Sequence, residues 1–134
     1  MKRVKVIIDA CPTVSQRRIE AFIHAVSAYY HYWDDPEGKP YELRNPIMMI
    51  DYRREGPAYG KIRKFSCHQA GIRTAEEHVK RYCMGHPEED ISSLLKFCGV
   101  RVKKQQEDAL DFMSRCANST LTLQTKLVWF TQNG

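Results

Sequence analysis

Apolar residues recur every three or four positions along residues 13–33 and predict the longest helix of the chain. A capping box of Thr13 and Gln16, with Pro12 just before it, marks where this helix begins. We expect the rest of the fold to be organised around it. Its predicted core face consists of Ile19, Phe22, Ile23, Val26, Tyr30 and Trp33.

Four other stretches show the two-residue alternation or the short apolar run that is typical of strands. They are residues 4–9, 47–50, 61–67 and 120–130. The turn-forming sequence at residues 56–60 separates the second stretch from the third, so residues 47–67 predict a β-hairpin with a basic tip. Residues 120–130 alternate most regularly and predict the clearest strand.

Three further helices are predicted between the hairpin and the last strand. The first begins at a capping box of Thr74 and Glu77 and ends near Gly85, the second begins near Pro87 and ends at Gly99, and the third covers residues 103–117. The second is expected to bury Ile91, Leu94, Leu95 and Cys98, and the third Ala109, Leu110, Met113, Cys116 and Ala117.

The predicted element order is β-α-β-β-α-α-α-β within a single α+β domain that covers residues 1–134. If the three later helices form one layer, this order corresponds to the split βαβ plan of ferredoxin-like folds, an antiparallel sheet with helices on one face. A chain of 134 residues is long enough to bury a substantial core as one domain.

Composition narrows the expected partners and the compartment. The chain has 21 Lys and Arg against 16 Asp and Glu, a net charge of +5 that favours anionic partners. Its 5 cysteines are odd in number and widely spread, which indicates reduced thiols and a cytoplasmic protein. No stretch is apolar enough for a membrane span, and no catalytic motif or phosphate loop appears, so we expect a binding protein without a cofactor.

The basic hairpin is the main functional candidate. Its cations suit phosphates and its aromatic rings suit bases, which together predict binding of single-stranded or structured RNA or DNA. Cations on edge strands also protect against unwanted strand pairing, and that alternative stays open. An RNA-recognition module is excluded because the first predicted strand has no aromatic residue. The candidate residues are Arg53, Arg54, Tyr59, Lys61, Arg63, Lys64 and Phe65.

A protein-interaction module is the second functional hypothesis. Such an inhibitor or adaptor would dock its basic surface on an acidic protein surface. The long helix also carries a strip of mostly small residues, Ala21, Ala25, Ala28 and Tyr32, which predicts close approach of a partner or of a second copy in a homodimer. Alanine is equally common on ordinary helix surfaces.

A magnesium-dependent nuclease is the third hypothesis. Asp9 and Asp51 each end a predicted strand, and two carboxylates fixed by a sheet can share a Mg²⁺ ion, although Asp is also a common turn former. On the long helix, His24 and His31 share one face with Glu20, an arrangement that suits a general base and equally a solvated helix face.

A metal site is the last candidate. Zinc sites usually combine two closely spaced pairs of Cys and His ligands. Cys83 and His86 form an acceptable pair, whereas Cys67 and His68 form a poor second pair. Buried thiols and surface histidines explain the same residues without a metal, so no metal is expected.

Overall fold

The computed structural model describes residues 13–51 and 60–132. Within those ranges the regular elements are helical. None of these helices combines the length and the apolar character needed to cross a lipid bilayer. The α-helices are α1 (Val14–Tyr29), α2 (Lys39–Glu42), α3 (His68–Gly85), α4 (Ile91–Phe97) and α5 (Lys103–Ala117), and a 3₁₀ helix covers Leu127–Phe130.

Helix α1 is the central element, as predicted, and it packs on α3, α5 and the 3₁₀ helix. The Thr13 side chain accepts a 3.0 Å hydrogen bond from the backbone N–H of Gln16, which confirms the predicted helix start. The predicted core face is confirmed over four of its six residues, but Tyr30 is only partly buried and Trp33 is 54% exposed. The helix ends early because His31 adopts a φ of 57° and turns the chain.

The predicted α+β, ferredoxin-like fold is wrong. Among residues 13–51 and 60–132 there is no sheet, and the β pairing consists of two isolated antiparallel bridges, Ile50 with Ile62 and Asp90 with Lys126. The predicted strand at residues 4–9 lies outside the described residues. The core is instead formed between helices, with α1 in the middle.

Residues 120–130 show why an alternating pattern is not enough to make a strand. Leu121 and Leu127 are buried. The segment beside this stretch, however, is the start of helix α4 and not another strand. The N–H groups of Ile91 and Ser92 donate to the carbonyls of Thr125 and Leu123, and those of Leu127 and Val128 donate to the carbonyls of Glu89 and Pro87. The stretch therefore pairs with the start of α4 and the few residues before it, and the pairing does not extend beyond the single Asp90–Lys126 bridge. The last four residues of the stretch form the 3₁₀ helix.

The predicted hairpin is reduced to a short pairing around the Ile50–Ile62 bridge. Three backbone hydrogen bonds of 2.7–2.8 Å connect residues 49–51 with residues 60–63. The Nδ2 of the buried Asn45 side chain donates to the carbonyls of Met49 and Arg63, so a side chain contributes to the pairing of this segment. Met48 has a φ of 54°, which interrupts the extended backbone that a longer strand requires.

The predicted later helices are largely confirmed in position. Helix α3 ends at Gly85 as expected but begins earlier than Thr74, with Cys67 as its N-cap. Helix α4 begins at Ile91 after an Asp90 cap, later than the predicted start near Pro87. It buries its predicted face and stops before Gly99, whose φ is +91°. Helix α5 has the predicted bounds, although Cys116 is exposed rather than buried.

Candidate nucleic-acid interface

Two adjoining cavities lie between the paired segment around Ile50 and helices α3 and α4. The first, which we name the cationic cavity, has a volume of about 540 Å³. The second, the apolar cavity, has a volume of about 500 Å³. Their linings share Met49, Ile50 and His78, so the two cavities lie side by side, and we refer to them together as the groove. Both volumes fall in the usual range of ligand sites.

The cationic cavity brings together arginines from two separate parts of the chain. Arg73 and Arg81 lie eight residues apart on α3, with Glu77 midway between them, so all three share one helix face. Arg63 enters from the paired segment, where its guanidinium lies 4.5 Å from the centre of the Phe65 ring. Glu77 is the one carboxylate in the described lining, so the cavity carries an excess of positive charge.

His78 lies where the two cavities meet. Burial lowers the pKa of its imidazole below the ordinary value of 6.5, and the positive charges of Arg63 and Arg81 lower it further. Two guanidinium groups therefore act on the same point of the groove. A ligand that neutralises them must be anionic.

The apolar cavity is lined on one side by aromatic rings. Phe97 of α4 stacks on His78 with ring centroids 4.9 Å apart and on Tyr82 with centroids 4.3 Å apart. Phe97 is nevertheless 44% exposed. The Tyr30 hydroxyl donates a 2.6 Å hydrogen bond to the Cys98 carbonyl and fixes the loop that closes this end of the cavity. Burial is the main cause that raises the pKa of Tyr30 to about 12, so the hydroxyl keeps its proton.

The residues predicted to bind nucleic acid differ in their exposure and in whether they line the groove. Lys61 and Lys64 are exposed, whereas Arg63 is partly buried and lines the cationic cavity. Phe65 is only 6% exposed and packs in the core, so its ring cannot stack on a base as predicted. Arg53, Arg54 and Tyr59 lie outside the described residues.

The described residues that flank those three are hydrogen-bonded to one another. The N–H of Gly60 donates a 2.7 Å hydrogen bond to the Asp51 carbonyl, and the N–H of Asp51 donates one of 2.8 Å to Lys61. The neighbouring Ile50 and Ile62 line the apolar cavity. Asp51 and Gly60, the described residues on either side of residues 52–59, therefore lie close in the chain to residues that line the groove.

The predicted nuclease residues do not form a described pair. Asp9 lies outside the described residues, and Asp51 is buried. His24 on α1 and His31 just after its end are both exposed, and His31 forms an ion pair with Asp34 at 3.2 Å. These residues therefore give no described arrangement that could activate a water molecule.

The Glu20 carboxylate, predicted to orient His24, accepts a 3.0 Å hydrogen bond from the Gln16 amide. Glu20 and His24 line a cavity of only about 30 Å³ together with Glu76. The pKa of Glu76 is raised, chiefly by burial. This volume is little more than that of a single water molecule, so the cavity cannot take a substrate.

The predicted metal ligands lie in separate surroundings, and three of the four make other contacts. Cys67 caps α3 by accepting from the Ala70 N–H, and the His68 imidazole is hydrogen-bonded to the Tyr32 hydroxyl. Cys83 is buried, and His86 pairs with Glu89 at 3.0 Å. Across residues 13–51 and 60–132, no group of three or more His, Cys, Asp or Glu residues is arranged to hold a metal ion.

The predicted interface strip on α1 is largely used within the chain. Ala21 and Ala25 are buried in the core, and Tyr32 is fully buried. Helix α5 packs on α1, and the Tyr29 hydroxyl donates a 3.2 Å hydrogen bond to Gln105 on α5. Of the four strip residues only Ala28 is exposed, so this strip does not present a ready surface for a second copy.

Comparison of the chain with protein-family models, with curated protein sequences and with solved structures gives no match. The groove is therefore interpreted from its own geometry. The sequence patterns did not assign Arg73, Arg81, Arg101, His78 or Phe97 to this site. The spacing of Arg73 and Arg81 on one helix face was the available signal.

Proposed function

We propose that this protein binds nucleic acid, with the phosphate backbone held in the cationic cavity. The convergence of Arg63, Arg73 and Arg81 on one cavity carries the proposal. Guanidinium groups bind phosphate oxygens through two parallel hydrogen bonds, and three of them around one cavity suit a polyanion. The net charge of +5 adds long-range attraction for such a ligand.

Residues around the cavity extend the same chemistry. Lys61 and Lys64 are exposed and lie on either side of Arg63 along the chain. A backbone longer than one phosphate would meet these cations in succession. The proposed site is the cationic cavity plus these flanking side chains.

We also propose a cytoplasmic location, which the free, buried thiols of Cys83 and Cys98 support.

The test compares the binding of a labelled oligonucleotide of about 20 residues to the wild-type chain and to the double variant Arg73→Gln, Arg81→Gln. Both arginines are exposed, so the fold should tolerate the change. We expect the affinity to fall about tenfold or more at low salt. The salt slope of the logarithm of the binding constant should fall by roughly 0.7 for each phosphate contact removed from a single strand.

A matched control removes the same charge elsewhere. Lys104 and Arg115 lie on α5 in exposed ion pairs with Asp108 and Asp111. The double variant Lys104→Gln, Arg115→Gln should retain the wild-type affinity and salt slope, because these cations do not line the groove. Equal losses in both double variants would show that only net charge matters, and the cavity would then have no special role.

The alternative of an acidic protein partner makes a different prediction. A complex with such a partner should survive nuclease treatment, whereas a complex held by nucleic acid should dissolve. If the purified chain shows no salt-dependent binding to RNA or DNA, the nucleic-acid proposal is wrong.

A further inference from the structure

We infer that the apolar cavity binds a single unstacked nucleobase, so that the groove selects single-stranded over double-stranded nucleic acid. This inference rests on the proposed function, since it assigns the second half of the same groove. The phosphate would lie in the cationic cavity and the adjacent base in the apolar cavity. The junction of the two halves is formed by Met49, Ile50 and His78.

The lining of the apolar cavity suits a flat, weakly polar ligand. Ile62 is 40% exposed and Phe97 is 44% exposed, and both line this cavity together with Ile47 and Met48. Large apolar side chains left this exposed at a concave site gain stability when a ligand removes them from water. Phe97 stacks on His78 and Tyr82, which hold its ring in place, and the exposed part of that ring is the aromatic surface available to a base.

Charge decides which apolar ligand fits. The apolar cavity lies directly beside the cationic cavity, with which it shares three lining residues, and Arg101 also belongs to its lining. A ligand that fills both halves must be flat and apolar at one end and anionic at the other. A nucleotide unit has this combination, and in a duplex its base is paired and stacked and cannot enter the cavity.

The apolar cavity is also well fixed before any ligand binds. Gly99 has a φ of +91°, and the Tyr30 hydroxyl anchors the Cys98 carbonyl at 2.6 Å. Phe97 is held from the α3 side by His78 and Tyr82. A preformed cavity lowers the entropic cost of ordering the ligand.

The experiment distinguishes the contribution of the bases to the binding affinity from that of the phosphates. Binding is measured for an oligothymidylate of about ten residues, for an abasic oligomer with the same number of phosphates, and for a duplex of the same length. The wild-type chain should bind the oligothymidylate about tenfold more tightly than the abasic oligomer. The duplex should bind more weakly than the oligothymidylate at equal salt.

The variant Phe97→Leu keeps an apolar side chain but removes the aromatic ring. It should lose most of the preference for the base-containing oligomer and keep the wild-type affinity for the abasic oligomer. The matched control is Trp33→Leu, which removes a 54% exposed aromatic ring that does not line the groove. This control should keep the wild-type preference. Ile62→Ser provides a second variant of the apolar cavity if Phe97→Leu reduces folding.

Equal wild-type affinity for the base-containing and abasic oligomers would overturn the base site and leave phosphate binding intact. A preference that Phe97→Leu and Ile62→Ser both retain would also overturn it. If the wild-type chain binds neither oligomer in a salt-dependent way, the proposed function itself is refuted.

Discussion

The guanidinium of Arg18 lies 4.4 Å from the centre of the Trp129 ring and donates a 2.7 Å hydrogen bond to the Trp129 carbonyl. Next to it, the Ser15 hydroxyl donates a 2.6 Å hydrogen bond to the Phe130 carbonyl. These contacts fasten the 3₁₀ helix to the first turns of α1. The C-terminal segment is therefore joined to the central helix by polar contacts as well as by the packing of Phe22 against Phe130.

Arg18→Ala should lower the free energy of unfolding by about 1–3 kcal/mol, because it removes a charged hydrogen bond and a cation–π contact. The neighbouring Arg17 is exposed, so Arg17→Ala makes the same change in charge and should cost at most about 0.5 kcal/mol. Urea denaturation of both variants measures the difference. Equal effects would show that the Arg18–Trp129 contact does not stabilise the fold.

Gly99 should not tolerate a side chain. A Cβ atom there would collide with the Tyr30 hydroxyl, and the φ of +91° adds strain of about 1–2 kcal/mol. Gly99→Ala should therefore destabilise the protein, whereas Gly85→Ala, where a Cβ meets nothing, should be close to neutral.

The two causes at Gly99 can be separated with Tyr30→Phe, which removes the colliding hydroxyl and leaves the backbone strain. The cost of Gly99→Ala should be smaller in the Tyr30→Phe background by about 1 kcal/mol or more, as measured by chemical denaturation. Additive effects of the two substitutions would contradict the proposed collision.

Gln106 is a buried polar side chain with two partners. It is 3% exposed, its Nε2 donates to the Val100 carbonyl at 3.0 Å, and its Oε1 accepts from the Ser92 hydroxyl at 2.8 Å. Gln106→Ala should cost about 1–3 kcal/mol of unfolding free energy, because both partners lose a hydrogen bond inside the protein. Glu107→Ala on the exposed face of α5 is the control, and a similar cost for both would refute the role of Gln106.

His78 should make stability depend on pH in one direction. Its pKa lies below the ordinary value of 6.5 in the folded protein, chiefly because of burial. As the pH falls below 6.5 the unfolded chain takes up the proton first, so stability decreases until the folded-state pKa has been passed. Above 6.5 this contribution is fully present.

His78→Gln should remove that part of the pH dependence. The free energy of unfolding of this variant should fall less than that of the wild type when the pH is lowered through the same window. Denaturation at several pH values measures both curves, and groups such as Glu76 titrate in both proteins and cancel in the comparison. Parallel curves would show that His78 does not titrate differently on folding.

The cysteines should differ in reactivity. Burial raises the pKa of the Cys83 and Cys98 thiols to about 12, whereas Cys67 and Cys116 are exposed. At about pH 8, iodoacetamide should label Cys116 well before Cys83 or Cys98 in the folded protein, because the thiolate is the reactive form. Peptide mass spectrometry measures each rate, and the denatured chain, where the rates should converge, is the control.

Local signals in the sequence determined the helices. The Thr13 cap, the apolar face from Ile19 to Val26 and the stop at Gly99 depend on residues a few positions apart, so they can be recognised without knowing what packs around them. Even so, the start of α3 was missed, since its cap is the thiol of Cys67 rather than a usual capping residue.

Strands are different because they need a partner. The alternation in residues 120–130 predicted a strand, yet only the tertiary structure decided that the neighbour is the start of α4 with the few residues before it. Without a second extended segment no sheet can form, whatever the periodicity of the first. This is why the α+β prediction failed although most helices were placed correctly.

The groove likewise depends on the tertiary structure. The sequence supplied the positive charge and the arginines, and the spacing of Arg73 and Arg81 already placed both on one helix face. That Arg63 meets them at one cavity, and that Phe97 lies beside His78 at the next, depends on how α3 packs against the Ile50–Ile62 pairing and α4. Contacts between residues that are distant in the chain depend on the packing of the whole fold, so local patterns cannot reveal them.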